Sequence, residues 1–353
     1  MNEIRRDPLS GHRVLIAEGR ADRPRDYTIS HTVGSKEDCP FCAGNENQTP
    51  EEVFRASISG EPDQWDVRIV RNKFPALAPV TSQNPDLIDE SSLSLPLPGA
   101  TPSIRGEGLH EVIIESPKHC TRTTELGVVQ LTVVLQATAN RWTQIRNLSE
   151  FRSVQVFKNV GPAAGATMEH THSQLLALPM VPPSLSHELK AMSGYREKAN
   201  QCLLCEMQSA EKRLGHRLVA ENDAFIAFCA YAGRQPGETW IIPKSHQAEF
   251  FNIVPDDCRL LAEILDQVLH RLDVALKAPA YNSMIHSAPL EGDFVDHYHW
   301  RMVILPRVTT QAGFEWGSGC YINPIAPERI AQSMLRGVPV EHIPSSETPL
   351  LAS

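Results

Sequence analysis

Residues 157–183 read FKNVGPAAGATMEHTHSQLLALPMVPP, and this stretch indicates both the fold and the reactive centre. His170, His172 and Gln174 alternate with smaller residues at the period of a β-strand, so their side chains share one face. The preceding loop, residues 161–167, consists of small residues that let the backbone approach a ligand, and its N–H groups suit an anion. Two imidazoles and an amide facing this loop predict a phosphate-transfer site.

The composition is ordinary for a globular protein. The chain has 353 residues, of which 41% are hydrophobic and 21% charged, with a formal net charge of -9. This length favours two domains or one duplicated domain. The negative charge and the lack of a basic run argue against a nucleic-acid-binding surface. No apolar run approaches the ~18 residues of a membrane span, and no signal-peptide core is present, so we expect a cytoplasmic protein without membrane contact.

Four of the eight cysteines fall in two Cys-x-x-Cys pairs, Cys39/Cys42 and Cys202/Cys205. In a cytoplasmic chain this spacing favours metal or redox chemistry over disulfides. The other four cysteines are scattered and are predicted to be ordinary reduced thiols.

The two pairs open two halves that follow the same order. Each half has a Cys-x-x-Cys pair, two strands, a histidine, a long amphipathic helix and a strand with His-x-His. The helices are predicted over residues 125–147 and 256–276. This order predicts an α+β fold of two tandem domains related by internal duplication, residues 1–183 and 184–353, each an antiparallel sheet with a long helix.

The histidine spacing supports the duplication. His170 follows His119 by 51 residues, while His297 and His299 follow His246 by 51 and 53. Two thiolates and two imidazoles form the Cys2His2 composition of closed structural zinc sites. The first predicted set is Cys39, Cys42, His119 and His170. The second is Cys202, Cys205, His246 and His299, with His297 as the rival for the last position. A redox role for the cysteine pairs is the alternative, but it would leave the histidines unexplained.

The halves differ where chemistry is expected. His172 lies two residues beyond the predicted ligand His170, whereas Arg301 holds the same offset from His299. Only the first half therefore offers a free imidazole beside the small-residue loop. Three further histidines are predicted to be ordinary surface or core residues: His110, His187 and His216.

Together these motifs resemble the galactose-1-phosphate uridylyltransferase family, a branch of the histidine-triad superfamily with two such domains per chain. The matching segments are residues 20–24, 39–45, 72–74, 116–119, 159–174 and 313–315. The resemblance is strongest to the subgroup that contains the plant ADP-glucose phosphorylase. That subgroup shares His-x-His-Ser-Gln, the second Cys-x-x-Cys and the GCYINP segment at residues 319–324. Its last metal ligand precedes a tryptophan, which favours His299 over His297.

The resemblance implies a ping-pong nucleotidyl transfer. His172 would attack the α-phosphorus of a nucleotide sugar, release hexose 1-phosphate and pass the nucleotide to a second phosphate compound. Gln174 is implied as the second catalytic residue, with Thr167 also hydrogen-bonding the phosphoryl oxygens. The remaining implied contacts are Arg20 and Arg23 to the phosphates, Asn72 and Phe74 to the nucleoside, and Asn159, Phe314 and Glu315 to the sugar.

The two ligand sets predict two zinc ions per chain, and the family implies a homodimer. Its substrates are a nucleotide sugar and either hexose 1-phosphate or phosphate. This chain differs from the uridylyltransferase pattern at Lys73, which replaces a ribose-binding aspartate, and at Thr309, which replaces a lysine of the hexose loop. The expected function is UDP-glucose–hexose-1-phosphate uridylyl transfer, with adenylyl transfer from ADP-glucose to phosphate as the alternative. A nucleotide hydrolase and a non-catalytic zinc-stabilised nucleotide-binding module are further alternatives.

Overall fold

Ten antiparallel strands form one continuous sheet in the computed structural model of the chain. The structure describes residues 2–7, 9–10, 13–17, 38–61, 64–80, 106–148 and 150–344. A second, three-stranded sheet combines the N-terminal strands with a strand near the C-terminal end.

The first half contributes two strands to the small sheet, five strands to the large sheet, and one long helix. In chain order the strands are β1 (Asn2–Arg6) and β2 (Arg13–Ala17) of the small sheet, then β3 (Glu52–Ala56), β4 (Val67–Arg71), β5 (Leu109–Ile114), β6 (Ser153–Val160) and β7 (His172–Leu178) of the large one. The helix α1 (Gly127–Arg146) connects β5 to β6. The helix predicted over residues 125–147 is thus confirmed to within two residues.

Two helices lead into the second half, α2 (Pro183–Ala199) and α3 (Leu203–Leu214). They are followed by β8 (Leu218–Glu221), β9 (Phe225–Cys229), β10 (Thr239–Pro243), α4 (Pro255–Leu276), β11 (Tyr281–His286) and β12 (Arg301–Pro306). The chain then adds α5 (Gly313–Ser318), β13 (Cys320–Asn323) and α6 (Pro327–Arg336). Strand β13 pairs in parallel with β2.

The two halves repeat one strand order. The sheet runs β3-β4-β5-β7-β6 and then β11-β12-β10-β9-β8, so each half has its last two strands exchanged in the same way. The halves meet where β6 pairs antiparallel with β11, with Phe157 opposite Met284. The predicted α+β fold with an antiparallel sheet and a long helix in each half is confirmed.

The two faces of this sheet are covered differently. Helices α1 and α4 pack against each other on one face, over the main hydrophobic core. On the opposite face, α2 and α3 cover the second half through a separate apolar cluster that includes Leu185, Met192 and Leu204. Among the described residues, the first half has only a small cluster there, in which Phe41 packs near Trp65. Within the described part of the chain, this face of the first half is therefore open to a ligand.

The two cysteine pairs lie in different local structures. Cys202 is the N-terminal cap of α3, so Cys205 lies in the first turn of a helix. Cys39 and Cys42 instead lie in a loop of turns and bends. No helix within the described ranges is long and apolar enough to cross a membrane.

Candidate active site and metal centres

His172 begins β7, the strand between β5 and β6, and lies on the open face of the first half. Its Nδ1–H donates a hydrogen bond to the carbonyl oxygen of His170 at 2.7 Å, which leaves Nε2 with a lone pair. Burial lowers the pKa of His172, and the nearby Lys158 ammonium acts in the same direction. The ring is therefore neutral at neutral pH, as a nucleophile requires.

Phe41 joins His172 to the first cysteine pair. Its ring centroid lies 5.3 Å from that of His172 and 5.9 Å from that of His170. Because Phe41 lies between Cys39 and Cys42 in sequence, the turn that holds the cysteines also packs against the reactive imidazole. This contact is not predictable from the sequence, because it depends on how the cysteine turn folds against β7 and not on the spacing of the cysteines.

Gln174 follows His172 on the same face and contacts His110 of β5. The distance from His110 Nε2 to Gln174 Oε1 is 2.8 Å, and Asn72 Nδ2 lies 3.0 Å from the same His110 nitrogen. His110, predicted to be an ordinary surface or core residue, is half-buried and contacts both of these predicted site residues. The contact with Gln174 follows from the register of β5 against β7, in which Val112 opposes Gln174 and His110 is the diagonal neighbour of Gln174.

The small-residue loop between β6 and β7 makes a tight turn. Gly161 and Gly165 have φ angles of 79° and 85°, in the left-handed region that favours glycine. A Cβ on Gly161 would lie 2.9 Å from the Cβ of Ala280. The N–H groups of this loop were predicted to suit an anion. Those of residues 164–166 instead donate to carbonyl oxygens within the loop, so these three are not available to a ligand.

Asn282 of β11, in the second half, holds this loop of the first half in place. Its Nδ2 donates to the carbonyl oxygen of Ala164 and to Oδ1 of Asn159, each at 2.8 Å. Asn159 was predicted on the sugar side of the site, and its side-chain oxygen is thus already engaged. The two halves share this corner of the site, which no local pattern could have indicated.

A buried ion pair lies under β7, on the face opposite His172. Lys158 Nζ donates to Glu115 Oε2, and the hydroxyls of Thr171 and Ser173 donate to the same carboxylate at 2.6 and 2.5 Å. Burial alone would raise the pKa of Glu115, but Lys158 and the hydroxyls bring it below its ordinary value. The carboxylate therefore stays ionised beside a cavity of about 50 Å³ beneath the helices.

Both predicted metal-ligand sets come together, and in each the ligand atoms lie within 4.8 Å of one another. In the first set, Cys39 Sγ and Cys42 Sγ each lie 3.5 Å from His170 Nδ1, and Cys42 Sγ lies 3.3 Å from His119 Nδ1. In the second set, the sulfur-to-Nδ1 distances are 3.4, 3.5 and 3.9 Å. A tetrahedral zinc site with ordinary bond lengths has sulfur-to-nitrogen edges of about 3.6 Å, so both sets fit Zn²⁺.

The ligand histidines are oriented through their other ring nitrogen. Nε2 of His170, His246 and His299 donates to the carbonyl oxygens of Ser116, Val295 and Pro243, respectively, at 2.7–3.0 Å. Such bonds fix the ring and its tautomer, as is usual around bound metal ions. Burial lowers the pKa of His170 to about 4, so its Nδ1 is free to bind a metal.

His299, and not its rival His297, completes the second set. The His297 ring instead packs edge-on against Phe294, with centroids 5.7 Å apart.

In the second half, an arginine occupies the position that corresponds to His172 of the first half. Arg301, at the start of β12, forms a two-pronged ion pair with Glu188 of α2 at 2.7 and 3.0 Å. The Arg301 guanidinium also lies 4.8 Å from the centre of the Trp240 ring. Helix α2 thus occupies the face that stays open in the first half.

Of the other predicted contact residues, four lie within the described residues and two do not. Arg20 and Arg23 fall outside them. Thr167 is exposed in the loop, and Phe74 is 83% exposed beside Asn72. Phe314 and Glu315 lie on α5, where Glu315 Oε2 accepts a hydrogen bond from Ala312 N–H at 2.9 Å and caps the helix. No hydrogen bond among the described residues connects α5 to β7.

Comparison with known proteins decides the family. The family model "Galactose-1-phosphate uridyl transferase, N-terminal domain" matches residues 1–182, and a model of a domain of unknown function, DUF4921, matches residues 120–341. An ADP-glucose phosphorylase from Arabidopsis thaliana is 35% identical over 339 residues, covering 94% of this chain and 92% of the relative. The chain belongs to the galactose-1-phosphate uridylyltransferase family.

Further relatives agree with this assignment. A galactose-1-phosphate uridylyltransferase from Thermotoga maritima is 24% identical and covers 95% of this chain and 98% of the relative. The crystal structure of the Arabidopsis thaliana ADP-glucose phosphorylase with bound ADP-glucose has a TM-score of 0.80 at 34% identity, covering 95% of this chain and 99% of that one. The predicted membership in the uridylyltransferase family and the predicted nucleotidyltransferase class are confirmed.

Proposed function

We propose that His172 carries the nucleotide in a two-step transfer between phosphate compounds. The observation behind this proposal is the hydrogen bond from His172 Nδ1–H to the His170 carbonyl, which leaves Nε2 as the nucleophilic nitrogen. His170 faces the same way, but its Nδ1 belongs to the cysteine-bearing metal set.

In the first step, His172 Nε2 forms a bond to the α-phosphorus of a nucleotide sugar. The bond between that phosphorus and the bridging oxygen breaks, and hexose 1-phosphate leaves with the electron pair. In the second step, a phosphate oxygen of the acceptor attacks the phosphorus and the phosphorus–nitrogen bond breaks, which restores the neutral imidazole. Dividing the transfer this way replaces one difficult displacement with two easier ones.

The residues around the reacting phosphorus have distinct proposed roles. The Gln174 amide and the Thr167 hydroxyl stabilise the phosphoryl oxygens. We assign the phosphates to Arg20 and Arg23, the nucleoside to Asn72 and Phe74, and the sugar to Asn159, Phe314 and Glu315. These contact assignments rest on the family resemblance.

We propose that each Cys2His2 set holds one zinc ion, two per chain. The donor set and the sulfur-to-nitrogen distances support Zn²⁺ in a closed structural site. A zinc ion bound by Cys39, Cys42, His119 and His170 would supply structural stabilisation. It would fix His170, whose carbonyl oxygen accepts the hydrogen bond from His172 Nδ1–H.

We propose the donor from the sequence identities to two relatives. The relative named ADP-glucose phosphorylase is 35% identical, whereas the Thermotoga maritima uridylyltransferase is 24% identical over a similar share of the chain. This difference favours ADP-glucose as the donor and inorganic phosphate as the acceptor. Uridylyl transfer from UDP-glucose to galactose 1-phosphate is the second candidate, supported by the family model over residues 1–182.

Adduct formation tests both the mechanism and the donor. The purified chain, incubated with ADP-glucose or UDP-glucose and no acceptor, should gain the mass of AMP or UMP in an acid-labile form. We expect the adduct to disappear in His172→Asn and to remain in His187→Asn, since His187 is exposed on α2. A full-yield adduct in His172→Asn would refute the nucleophile. Continuous hydrolysis without an adduct would favour a hydrolase, and binding without either reaction would favour a non-catalytic module.

Two assembly features remain predictions. We propose that residues 1–183 and 184–353 are two domains and that the chain forms a homodimer, as the family resemblance implies. Sedimentation at micromolar concentration measures the assembly directly, and a single-chain mass would contradict the homodimer.

A further inference from the structure

His110 and Gln174 lie on neighbouring strands and face the same side of the sheet. In the antiparallel register of β5 and β7, Val112 opposes Gln174, so His110 is the diagonal neighbour of Gln174. Diagonal pairs in such sheets are within reach of long side chains. The 2.8 Å distance between His110 Nε2 and Gln174 Oε1 shows that they are in contact.

The backbone fixes which His110 nitrogen carries the proton. The N–H of Ala76 points at His110 Nδ1 at 3.0 Å, and a backbone N–H can only donate. Nδ1 must therefore accept, and the neutral ring carries its proton on Nε2. That Nε2–H can only donate to Gln174 Oε1, which assigns the oxygen and nitrogen of the Gln174 amide.

Asn72 does not compete for this bond. Its Oδ1 accepts the N–H of Phe74 at 2.8 Å, so the group that approaches His110 Nε2 is the donor Nδ2. Two donors cannot form a hydrogen bond with each other, so the His110 proton goes to Gln174. The Asn72 amide keeps its protons for another acceptor.

From this geometry we propose that His110 is a positioning residue that sets the orientation of the Gln174 amide. With Oε1 held by His110, the Gln174 NH2 group is the end left for a ligand, and it has no hydrogen-bond partner among the described residues. Phosphoryl oxygens only accept, so they require this end. A rotated amide would present its own oxygen and repel the phosphate. This inference rests on the nucleotidyl transfer proposed above.

Two substitutions separate orientation from structural support. In His110→Gln, the new amide nitrogen reaches the position of Nε2 and can still donate to Gln174. In His110→Asn, the shorter amide oxygen reaches the position of Nδ1 and can still accept from Ala76. We expect adduct formation at saturating donor to fall about 10- to 100-fold in His110→Asn and His110→Ala, the scale of one misdirected phosphoryl donor. His110→Gln should recover most of the rate, with the donor KM changed little throughout.

A double-mutant cycle gives an independent readout. Once Gln174→Ala has removed the amide, adding His110→Ala should slow the reaction by less than about 2-fold, because a positioning residue acts only through its partner. Recovery of the rate in His110→Asn but not in His110→Gln would overturn the proposal. So would a double variant whose rate loss equals the product of the losses in His110→Ala and Gln174→Ala. A wild-type chain that forms no adduct would overturn the proposed function and this role together. An active wild type with an unimpaired His110→Ala would overturn this role alone.

Discussion

Glu188 forms the buried polar contact between α2 and the second half. Its carboxylate accepts two hydrogen bonds from Arg301 and one from the Tyr298 hydroxyl at 3.2 Å, and all three residues are buried. Burial alone would raise the pKa of Glu188, but the charges of Arg301 and His286 hold it well below its ordinary value. The ionised form is therefore part of the folded structure.

We expect Glu188→Gln to lower the free energy of unfolding by about 3 kcal/mol at pH 7, because Arg301 would stay buried without a counter-charge. The depressed pKa means that this contribution is present above about pH 4.5, the ordinary value for a glutamate, and is lost as the pH falls toward the folded-state pKa. Urea unfolding from pH 7 to pH 3 should show the wild type and the variant converging below about pH 4.5.

Glu197→Gln is the matched control on the same helix, since Glu197 is exposed. Its curve should follow the wild type at every pH. A constant gap between wild type and Glu188→Gln down to pH 3 would contradict the assigned role of the Glu188 charge.

At the residue scale, the sequence predicts what a local period or spacing encodes. The alternation of His172 and Gln174 is a property of strand β7, which begins two residues after His170, and the metal ligands follow from two matching spacings. The contacts of His110 and Asn282 depend instead on which strands become neighbours and in what register. That information lies in the packing of distant segments, so these two residues could not be identified from the chain alone.

Successive side chains at β7 point alternately to the two faces of the sheet, which differ in environment. His172 and Gln174 face the open side, while Thr171 and Ser173 face the buried Glu115–Lys158 pair. The Thr171 N–H also donates to the Cys120 carbonyl at 2.7 Å. Together with the bond from its hydroxyl to Glu115, this contact holds the start of the reactive strand from behind.

We expect Lys158→Met to lower the free energy of unfolding by about 3–5 kcal/mol, because it leaves the Glu115 charge buried without a partner. The double variant Lys158→Met/Glu115→Gln should recover much of that loss, since no uncompensated charge remains and an amide oxygen still accepts from the hydroxyls. Urea unfolding at pH 7 measures both. A double variant no more stable than Lys158→Met would contradict the explanation.

The exposed pair Arg259–Glu263 on α4 provides the comparison. Its atoms lie 2.5 Å apart, but both side chains are largely in solvent. Arg259→Met should therefore change the free energy of unfolding by less than about 1 kcal/mol. A loss as large as that of Lys158→Met would show that burial is not what distinguishes the two pairs.

Across the whole molecule, the two proposed metal centres are related by the repeat but differ in exposure. Cys39 and His170 are buried in the first, with Cys42 and His119 half-buried. In the second, His246 is exposed. A ligand at the surface lets a chelator attack the ion directly, so the second centre should lose its metal faster.

We expect a chelator to release about two zinc ions per chain in two phases, measured with a coloured metal indicator. Cys202→Ser should abolish the fast phase, and Cys39→Ser should abolish the slow one. Loss of the slow phase in Cys202→Ser would reverse the assignment. Less than one metal per chain in protein purified without chelator would contradict the two centres.

The repeated order of elements was readable from sequence because each half carries its own complete set of motifs. The sequence does not predict that both halves join in one sheet, because this depends on the pairing of the edges of β6 and β11. The role of α2 was equally hidden. Its sequence predicts a helix but not the face that the helix covers, and only packing reveals that it fills the second half.

The pairing of β6 with β11 also changes the kinetics of assembly. Strands on separate chains would have to find each other by collision, and their association would weaken on dilution. Here both strands belong to one polypeptide, so the encounter is unimolecular and the effective concentration of one edge near the other is set by the connecting chain. The corner at which Asn282 holds the Ala164 loop therefore stays assembled at any enzyme concentration.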